Sequence, residues 1–545
     1  MNTSRHCYRP TARSLPLGLA SFLALILILG PAAGPGLLSA QTINTDEEAL
    51  FGEEAPDTLA PGPADGTGAG ATATAGATAT AGAADAAGGI SAVPVTPSGT
   101  SATAAFLKRD QVRIGGSFTG KLGTSFIWTN PWEGNHDVAK PDESSLSPTI
   151  ASTLFFDARP DEDLKFYGSV KTAWPFTSSY TFLTGPSYVA TPTPSVATTS
   201  QNLSAINLQI FELFTDFTWN DGAYFRFGKH TVKWGVGYFF SPADVLNLTP
   251  IDVTDPTAQR EGPISLRALV PIPGTQNNLW GYLLLPGALP ADTNSGSGTT
   301  STGSFKPEDL GYAGKAEFLI GNFEVGFGGF YQQDRAPRLM ATATGSLGRF
   351  DLFGEAVASW GNDRTYVTNI SPISTPRIST ETRDGVWYLQ GTAGFLYTAR
   401  DGYTTIAAQY YYNGEGYSYD ERKSLVDQFY SLPQTLQDNL APALVGALYG
   451  ASQHYGALSV SRSELFIKDL SASVLVLANL ADLSGFINPN IQYRVFKYMN
   501  LSISPSFVWY IDGLWGTGKH SEYVLLNKGP AVTISLNASL GSGRF

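Results

Sequence analysis

From Val112 onward, apolar and polar side chains alternate with a period of two. Val112, Ile114, Phe118, Leu122, Phe126 and Trp128 take even positions, while Arg113, Ser117, Thr119, Lys121 and Ser125 take odd ones. That period belongs to a strand with one apolar face. It recurs around a tight turn, where Leu154, Phe156 and Ala158 lead into Arg159-Pro160-Asp161-Glu162 and Leu164, Phe166, Val170, Thr172 and Trp174 lead out. Short connections at Asn220-Asp221-Gly222, Gly321-Asn322, Gly348-Arg349 and Asp401-Gly402 join further alternating segments and have hairpin-turn residue types. Longer polar or Pro-rich stretches separate the hairpins: 129–148, 175–204, 287–309, 361–384 and 413–452, the last with a helical pattern around Ser424 to Leu448. Short turns alternating with long loops predict an all-β chain, a transmembrane antiparallel up-and-down β-barrel with short periplasmic turns and long extracellular loops. Counting a weaker pair at Ile264 to Pro271 and Asn278 to Leu285, the strand number comes to about 18, with about 16 as the fallback for a bacterial barrel.

The first hundred residues read differently. Arg5, Arg9 and Arg13 precede an apolar run from Leu15 to Leu29, and Leu38-Ser39-Ala40 ends in small residues. Residues 1–40 therefore read as a signal peptide. Residues 41–105 are rich in Ala, Gly, Thr and Pro, a composition expected of a disordered periplasmic tail. The barrel is expected over 106–545. Cys7 is the only cysteine, so the mature chain is expected to have no disulfide.

Composition narrows the class further. Charged residues are 15% of the chain, against about 25% in ordinary globular domains. Mean hydropathy is nevertheless only −0.05, and after Leu29 no run approaches the roughly 20 apolar residues of a spanning helix. Aromatics at 12% suit two interfacial girdles, for which Phe126 with Trp128, Trp174, Phe217 with Trp219, and Phe507 with Trp509 are candidates. Losing Arg5, Arg9 and Arg13 with the leader takes the formal charge from −12 to −15, which disfavours nucleic acid as a partner. His136, His230, His454 and His520 have no metal-ligand spacing, so no metal, cofactor or catalytic residue is expected and the chain does not read as an enzyme.

The candidate chemistry is electrostatic. A cation on the lipid face costs about 2–4 kcal/mol at the midplane, so charges on the strands should face the lumen. The alternation puts Arg113, Lys121, Asp157, Lys165, Lys171, Glu212, Asp216, Arg226, Lys315, Glu317, Glu324, Asp351 and Glu355 there, a wall of both signs. Parity changes at Gly228, because Phe225 and Phe227 are the apolar residues before it and Val232 and Trp234 after it. A bulge at Gly228 would keep both pairs toward lipid, with Trp234 in a girdle, and turn Lys229, Thr231 and Lys233 inward.

This segment, with Gly228, Lys229, His230, Trp234, Gly235, Pro242, Asp244 and Asn247, resembles a strand-and-loop motif of Gram-negative outer-membrane porin-like proteins. The resemblance covers about twenty residues and implies a channel-like barrel. The residues expected to line the pore or its constriction are Lys229, Lys233, Asp244, Asp252, Asp255, Arg260 and Arg267, with Arg226, Glu212 and Asp216 on the adjoining wall. Phe545 is the expected signal to the barrel-assembly machinery; it is out of phase with the even apolar face of Val532 to Leu540, so either a bulge in Gly541-Ser542-Gly543 corrects the phase or Phe545 lies past the strand.

The reading that follows is a channel in the outer membrane of a diderm bacterium, surrounded by outer-membrane lipid and passing small hydrophilic solutes with weak selectivity. The alternatives are a transporter for apolar substrates and an adhesin or scaffold working through its loops. Conductance in a planar bilayer separates the channel readings from the scaffold reading.

Overall fold

The computed structural model describes residues 111–545 except 130, 132–139, 190–194, 221, 286–305, 334, 372–377, 511–518, 528–530 and 545. The expected leader, the tail and Phe545 lie outside the described residues. The strands are β1 (Val112–Thr129), β2 (Glu143–Asp161), β3 (Leu164–Val189), β4 (Ser195–Trp219), β5 (Ala223–Lys229), β6 (Ile264–Pro271), β7 (Asn278–Leu284), β8 (Gly311–Ile320), β9 (Phe323–Tyr331), β10 (Arg338–Leu347) and β11 (Phe350–Trp360). After a separate hairpin of β12 (Thr365–Ile370) and β13 (Ile378–Thr382) come β14 (Trp387–Thr398), β15 (Thr404–Asn413), β16 (His454–Arg462), β17 (Leu470–Asn479), β18 (Ser484–Phe496), β19 (Met499–Trp509) and β20 (Ala531–Arg544). All but β12 and β13 form one antiparallel 18-stranded sheet. It closes where β20 pairs with β1 from Ser117↔Arg544 to Thr129↔Ala531. Closure leaves no unpaired edge, which a wall in hydrocarbon requires.

The alternation read from the sequence is the inside–outside code of this wall. Ile114, Phe118 and Leu122 on β1, and Leu536 and Leu540 on β20, are exposed on the outer face. On β11 the odd residues Phe353, Glu355 and Val357 are buried inward while Phe350 and Trp360 face out. Aromatic pairs mark both rims, with Phe217 stacked on Phe225 near the short turns and Trp360 edge-on to Trp387 at the opposite end. Among the described residues no helix is long and apolar enough to cross a membrane.

On β17 the run Val474-Leu475-Val476-Leu477 is apolar at both parities, and the packing distinguishes its two faces. Leu475 and Leu477 pack inward with Phe239 and Tyr523, and Val474 opposes Val460 on the other face while Ser473 opposes Ser461. Val474→Arg is therefore expected to cost about 2–4 kcal/mol of barrel stability, and Ser473→Arg far less. A heat-modifiable gel shift measures both, and equal tolerance would overturn the outward assignment of Val474.

Three expectations need correction. The stretch 175–204 is mostly not loop: β3 and β4 have 26 and 25 residues where about 9–11 cross a bilayer, so the hairpin continues well past the wall. The helical pattern of 424–448 is two helices, α1 (Tyr419–Tyr430) and α2 (Gln434–Leu448). Ser418 and Glu421 form a capping box that starts α1, and Pro433 disfavours helical geometry in the residue before it, separating the two. Alternation of short and long connections is also not strict, since only 480–483 lie between β17 and β18 at the long-loop end. At that end α1, α2 and the β12–β13 hairpin share a core of Tyr366, Val367, Tyr417, Val426, Phe429 and Leu444. A third helix, α3 (Glu522–Asn527), lies between β19 and β20.

Candidate functional site in the barrel lumen

No bulge lies at Gly228. The β4–β5 register runs unbroken from Trp219↔Ala223 to Leu213↔Lys229. The change from Phe225 and Phe227 to Val232 and Trp234 marks the end of β5 at Lys229; a separate register shift lies on β4, whose pairing with β3 shifts between Ser169↔Glu212 and Val170↔Ile210. Ile206, Leu208 and Ile210 face out before that shift, and Leu213, Phe217 and Trp219 after it. Beyond Lys229 the chain leaves the wall altogether, and residues 230–263 fold across the inside of the barrel before rejoining it at β6. Gly228, at φ +131°, makes the exit; a Cβ there would lie 2.2 Å from the Leu213 carbonyl oxygen.

The segment packs first on one wall. Val232, Trp234, Ala243 and Leu246 share a core with Tyr282 of β7, Ala313 of β8, Phe330 of β9, Met340 of β10 and Val357 of β11. Trp234 is thus a lumen residue, not a girdle residue, and only 1% of it is exposed. The Lys315 ammonium donates to the Trp234 carbonyl at 3.3 Å and pairs with Glu317 at 2.6 Å. The segment then reaches the far wall, where Phe239 meets Ala407, Ala457 and Leu477.

Two polar side chains on the wall hold this path. The Glu355 carboxylate accepts from the backbone N–H groups of Val236 (2.5 Å), Gly237 (2.6 Å) and Ala243 (2.9 Å) and from the Ser241 hydroxyl (2.8 Å). Successive backbone N–H groups aimed at one anion form a nest. Glycine is required there, because a Cβ on Gly235 would sit 2.6 Å from Glu355 Oε1 and one on Gly237 1.9 Å from the Phe240 carbonyl oxygen. Gln409 of β15 accepts from Phe239 N–H at 2.6 Å and donates to the Phe240 carbonyl at 2.5 Å and to Thr392 at 2.6 Å. The sequence reading placed Glu355 on the inward face but missed its anchoring role, and missed Gln409 entirely. The available signal was a long polar residue at the middle of each inward stripe, flanked by Phe353 and Val357 on β11 and by Ala407 and Tyr411 on β15.

The motif residues act as scaffold for this turn. Asn247 binds both polar groups of the Val232 backbone and donates to Asp244. Asp244 pairs with Arg260. His230 is fully buried, with Nδ1 3.1 Å from the Gly228 carbonyl and its ring edge-on to Phe214. Pro242 is buried in the same turn. Around them, Thr231 N–H donates to Glu212 at 3.2 Å and Gln259 donates to it at 3.4 Å.

Of the expected pore-lining residues, most are therefore engaged in the wall or the segment. Arg226 is buried in a two-pronged pair with Asp216 (2.6 and 2.9 Å) above the Phe214 ring. Arg267 is buried beside Trp280, and Lys229 is held by Glu261 and the Ile210 carbonyl. Lys233, Asp252 and Asp255 are exposed. Asp252 and Asp255 cap their own turns through Thr254 and Thr257, and Lys233 has no ion-pair partner among the described residues. Among the described residues no group of three or more His, Cys, Asp or Glu side chains could hold a metal ion.

No family model matches the chain, and no curated protein does. Solved structures of similar form include Pseudomonas aeruginosa OccK11 (OpdR), 7% identical, covering 79% of this chain and 96% of its own with a TM-score of 0.40. P. aeruginosa OpdO is 10% identical, with coverage of 79% and 97% and a TM-score of 0.40. Acinetobacter baumannii OccAB4 is 9% identical, with coverage of 80% and 100% and a TM-score of 0.39. At such identities no residue's role passes from these proteins to this chain.

Proposed function

We propose that this chain is an outer-membrane channel for small hydrophilic solutes, with residues 230–263 as the element that narrows its lumen. The observation that carries the reading is the inward crossing itself. A closed barrel with an apolar exterior and a charge-paired interior has its connecting segment tied to the wall by Glu355 and to the far side by Gln409. An open apolar path is disfavoured, because the apolar inner faces of β16 and β17 are covered by Phe239 and Tyr238. The ordered helices at the long-loop end supply a surface that the adhesin reading would use, but nothing about them requires a partner.

Selectivity on this reading belongs to the charges that solute can meet, Lys233, Asp252 and Asp255. Single-channel recording of the reconstituted full chain should show discrete conductance steps. Lys233→Glu should then move the reversal potential toward cations, and Asp252→Lys with Asp255→Lys toward anions, each more strongly at low salt because screening acts within about 8–10 Å at physiological salt. Changes at Asp244 and Lys229, already neutralised by Arg260 and Glu261, should act through folding of the segment instead. Absence of conductance from correctly folded protein would exclude the channel reading.

A further inference from the structure

One of the short-turn connections is unlike the rest. Most are polar and tight, as at Gly321-Asn322 and Gly348-Arg349, but the β16–β17 connection spans residues 463–469 and carries Leu465-Phe466-Ile467 at its tip. Phe466 is 93% exposed and Ile467 55%. Glu464, Phe466 and Asp469 all have positive φ, three of the five such non-glycine residues among those described. A bulky side chain in that conformation is intrinsically disfavoured, so the turn presents Phe466 outward against local preference.

The turn is locked to its neighbours. Ser463 N–H donates to the Tyr403 carbonyl at 2.9 Å and Arg462 pairs with Asp401 at 2.8 Å, joining it to the β14–β15 turn. Arg494 N–H donates to the Asp469 carbonyl at 3.0 Å and its guanidinium pairs with that carboxylate at 3.3 Å, joining it to the end of β18. The resulting rim continues the outward apolar face of β18, formed by Ile491, Tyr493 and Val495, into exposed Phe496 and Tyr498. Around it Arg400, Lys468 and Lys497 are exposed and have no ion-pair partner among the described residues, against one such acid, Glu464. A cationic rim on a chain of net charge −12, contiguous with the lipid-facing wall, complements an anionic membrane surface.

We propose that this rim binds an anionic phospholipid of the periplasm-facing leaflet, with Phe466 and Ile467 among the acyl chains and Lys468 and Lys497 toward the phosphate. The proposal rests on the membrane orientation given above, with short turns on the periplasmic side, and not on conduction. The test is native mass spectrometry of the refolded full chain, delipidated and titrated with dioleoyl-phosphatidylglycerol or dioleoyl-phosphatidylcholine. The phosphatidylglycerol should be retained preferentially. The double variant Lys468→Gln with Lys497→Gln should lose that preference by roughly fivefold per lysine, while Phe466→Ser with Ile467→Ser should weaken both lipids alike. Heat-modifiable mobility and conductance, read on the same samples, should be unchanged, which separates this proposal from the channel reading. Equal retention of the two lipids by the wild type, undiminished preference in the lysine variant, or displacement by inorganic phosphate as effective as by lipid would each overturn it.

Discussion

Glu355→Ala should raise the single-channel conductance several-fold and weaken ion preference while leaving the barrel folded. The carboxylate is the shared acceptor for three backbone N–H groups and one hydroxyl of the inward segment. Truncation leaves those donors buried without partners, at about 1–3 kcal/mol each, more than a single loop contact can offset. The segment should then leave its seat near β11 and remain tethered through Gln409. Glu355→Gln should have an intermediate effect, because it keeps acceptor oxygen but loses the charge that makes such bonds roughly twice as strong. Gln409→Ala should act in the same direction, leaving Phe239 N–H and the Phe240 carbonyl unpaired. The double variant should exceed either single one if the two anchors hold one body. Single-channel recording with a heat-modifiable gel shift as folding control measures the series. Wild-type conductance and selectivity in folded Glu355→Ala would falsify the assignment of residues 230–263 as the narrowing element.

What the sequence could and could not convey divides along the same line. The wall was legible because a strand between lipid and lumen must alternate, and the register of one strand constrains the next. Even the weaker pair from Ile264 and Asn278 lies where the alternation put it. The inward segment was not legible, because apolar character does not distinguish lipid from a packed lumen. Val232 and Trp234 meet either requirement, and only their contacts with Tyr282 and Met340 decide it. The parity change across Gly228 reads as a bulge in the sequence, but it marks the exit of the chain from β5 after Lys229. A bulge on β5 and an exit from β5 leave nearly the same trace in residue order. Near the C-terminal end, where the sequence allows either a bulge at Gly541-Ser542-Gly543 or a Phe545 past the strand, the β1–β20 register shifts between Phe118↔Gly543 and Gly120↔Leu540, and Phe545 lies outside the described residues. Ionic side chains were assigned to the correct face more readily than to a function, because pairing partners such as Arg226 and Asp216 come from adjacent strands.

Arg422→Ala should release the ordered cap at the long-loop end without disturbing the wall. Arg422, on α1, is buried and donates to Asp482, between β17 and β18, and to the His520 carbonyl, between β19 and β20, with Glu522 of α3 3.8 Å away. Glu522 in turn accepts from Gly450 N–H (2.7 Å), Ser452 (3.0 Å) and Asn479 (2.6 Å), so three connections meet at one buried cation. Removing it leaves two buried carboxylates without their counter-ion, a loss of about 3–5 kcal/mol. Where opening is fast relative to cleavage, proteolysis follows the open population, so tryptic cleavage after Lys423 should accelerate by roughly 150- to 5,000-fold. The pH response has a definite sign. Burial raises the Glu522 carboxyl above its ordinary value, with Arg422 opposing, so the closed cap binds that proton more tightly than the open one. Closure is therefore favoured as pH falls and lost as pH rises through the raised value. Without Arg422 the opposition is gone, and acidification should restore more protection to the variant than to the wild type. Amide exchange of α1, corrected for intrinsic rate, reads this between mildly acidic and neutral pH. Asp427, held at about 2 by hydrogen bonds from Lys519 and His520, stays ionised throughout. Unchanged exchange in Arg422→Ala, or protection that falls on acidification, would show that the cap is held by its apolar core rather than by this cluster.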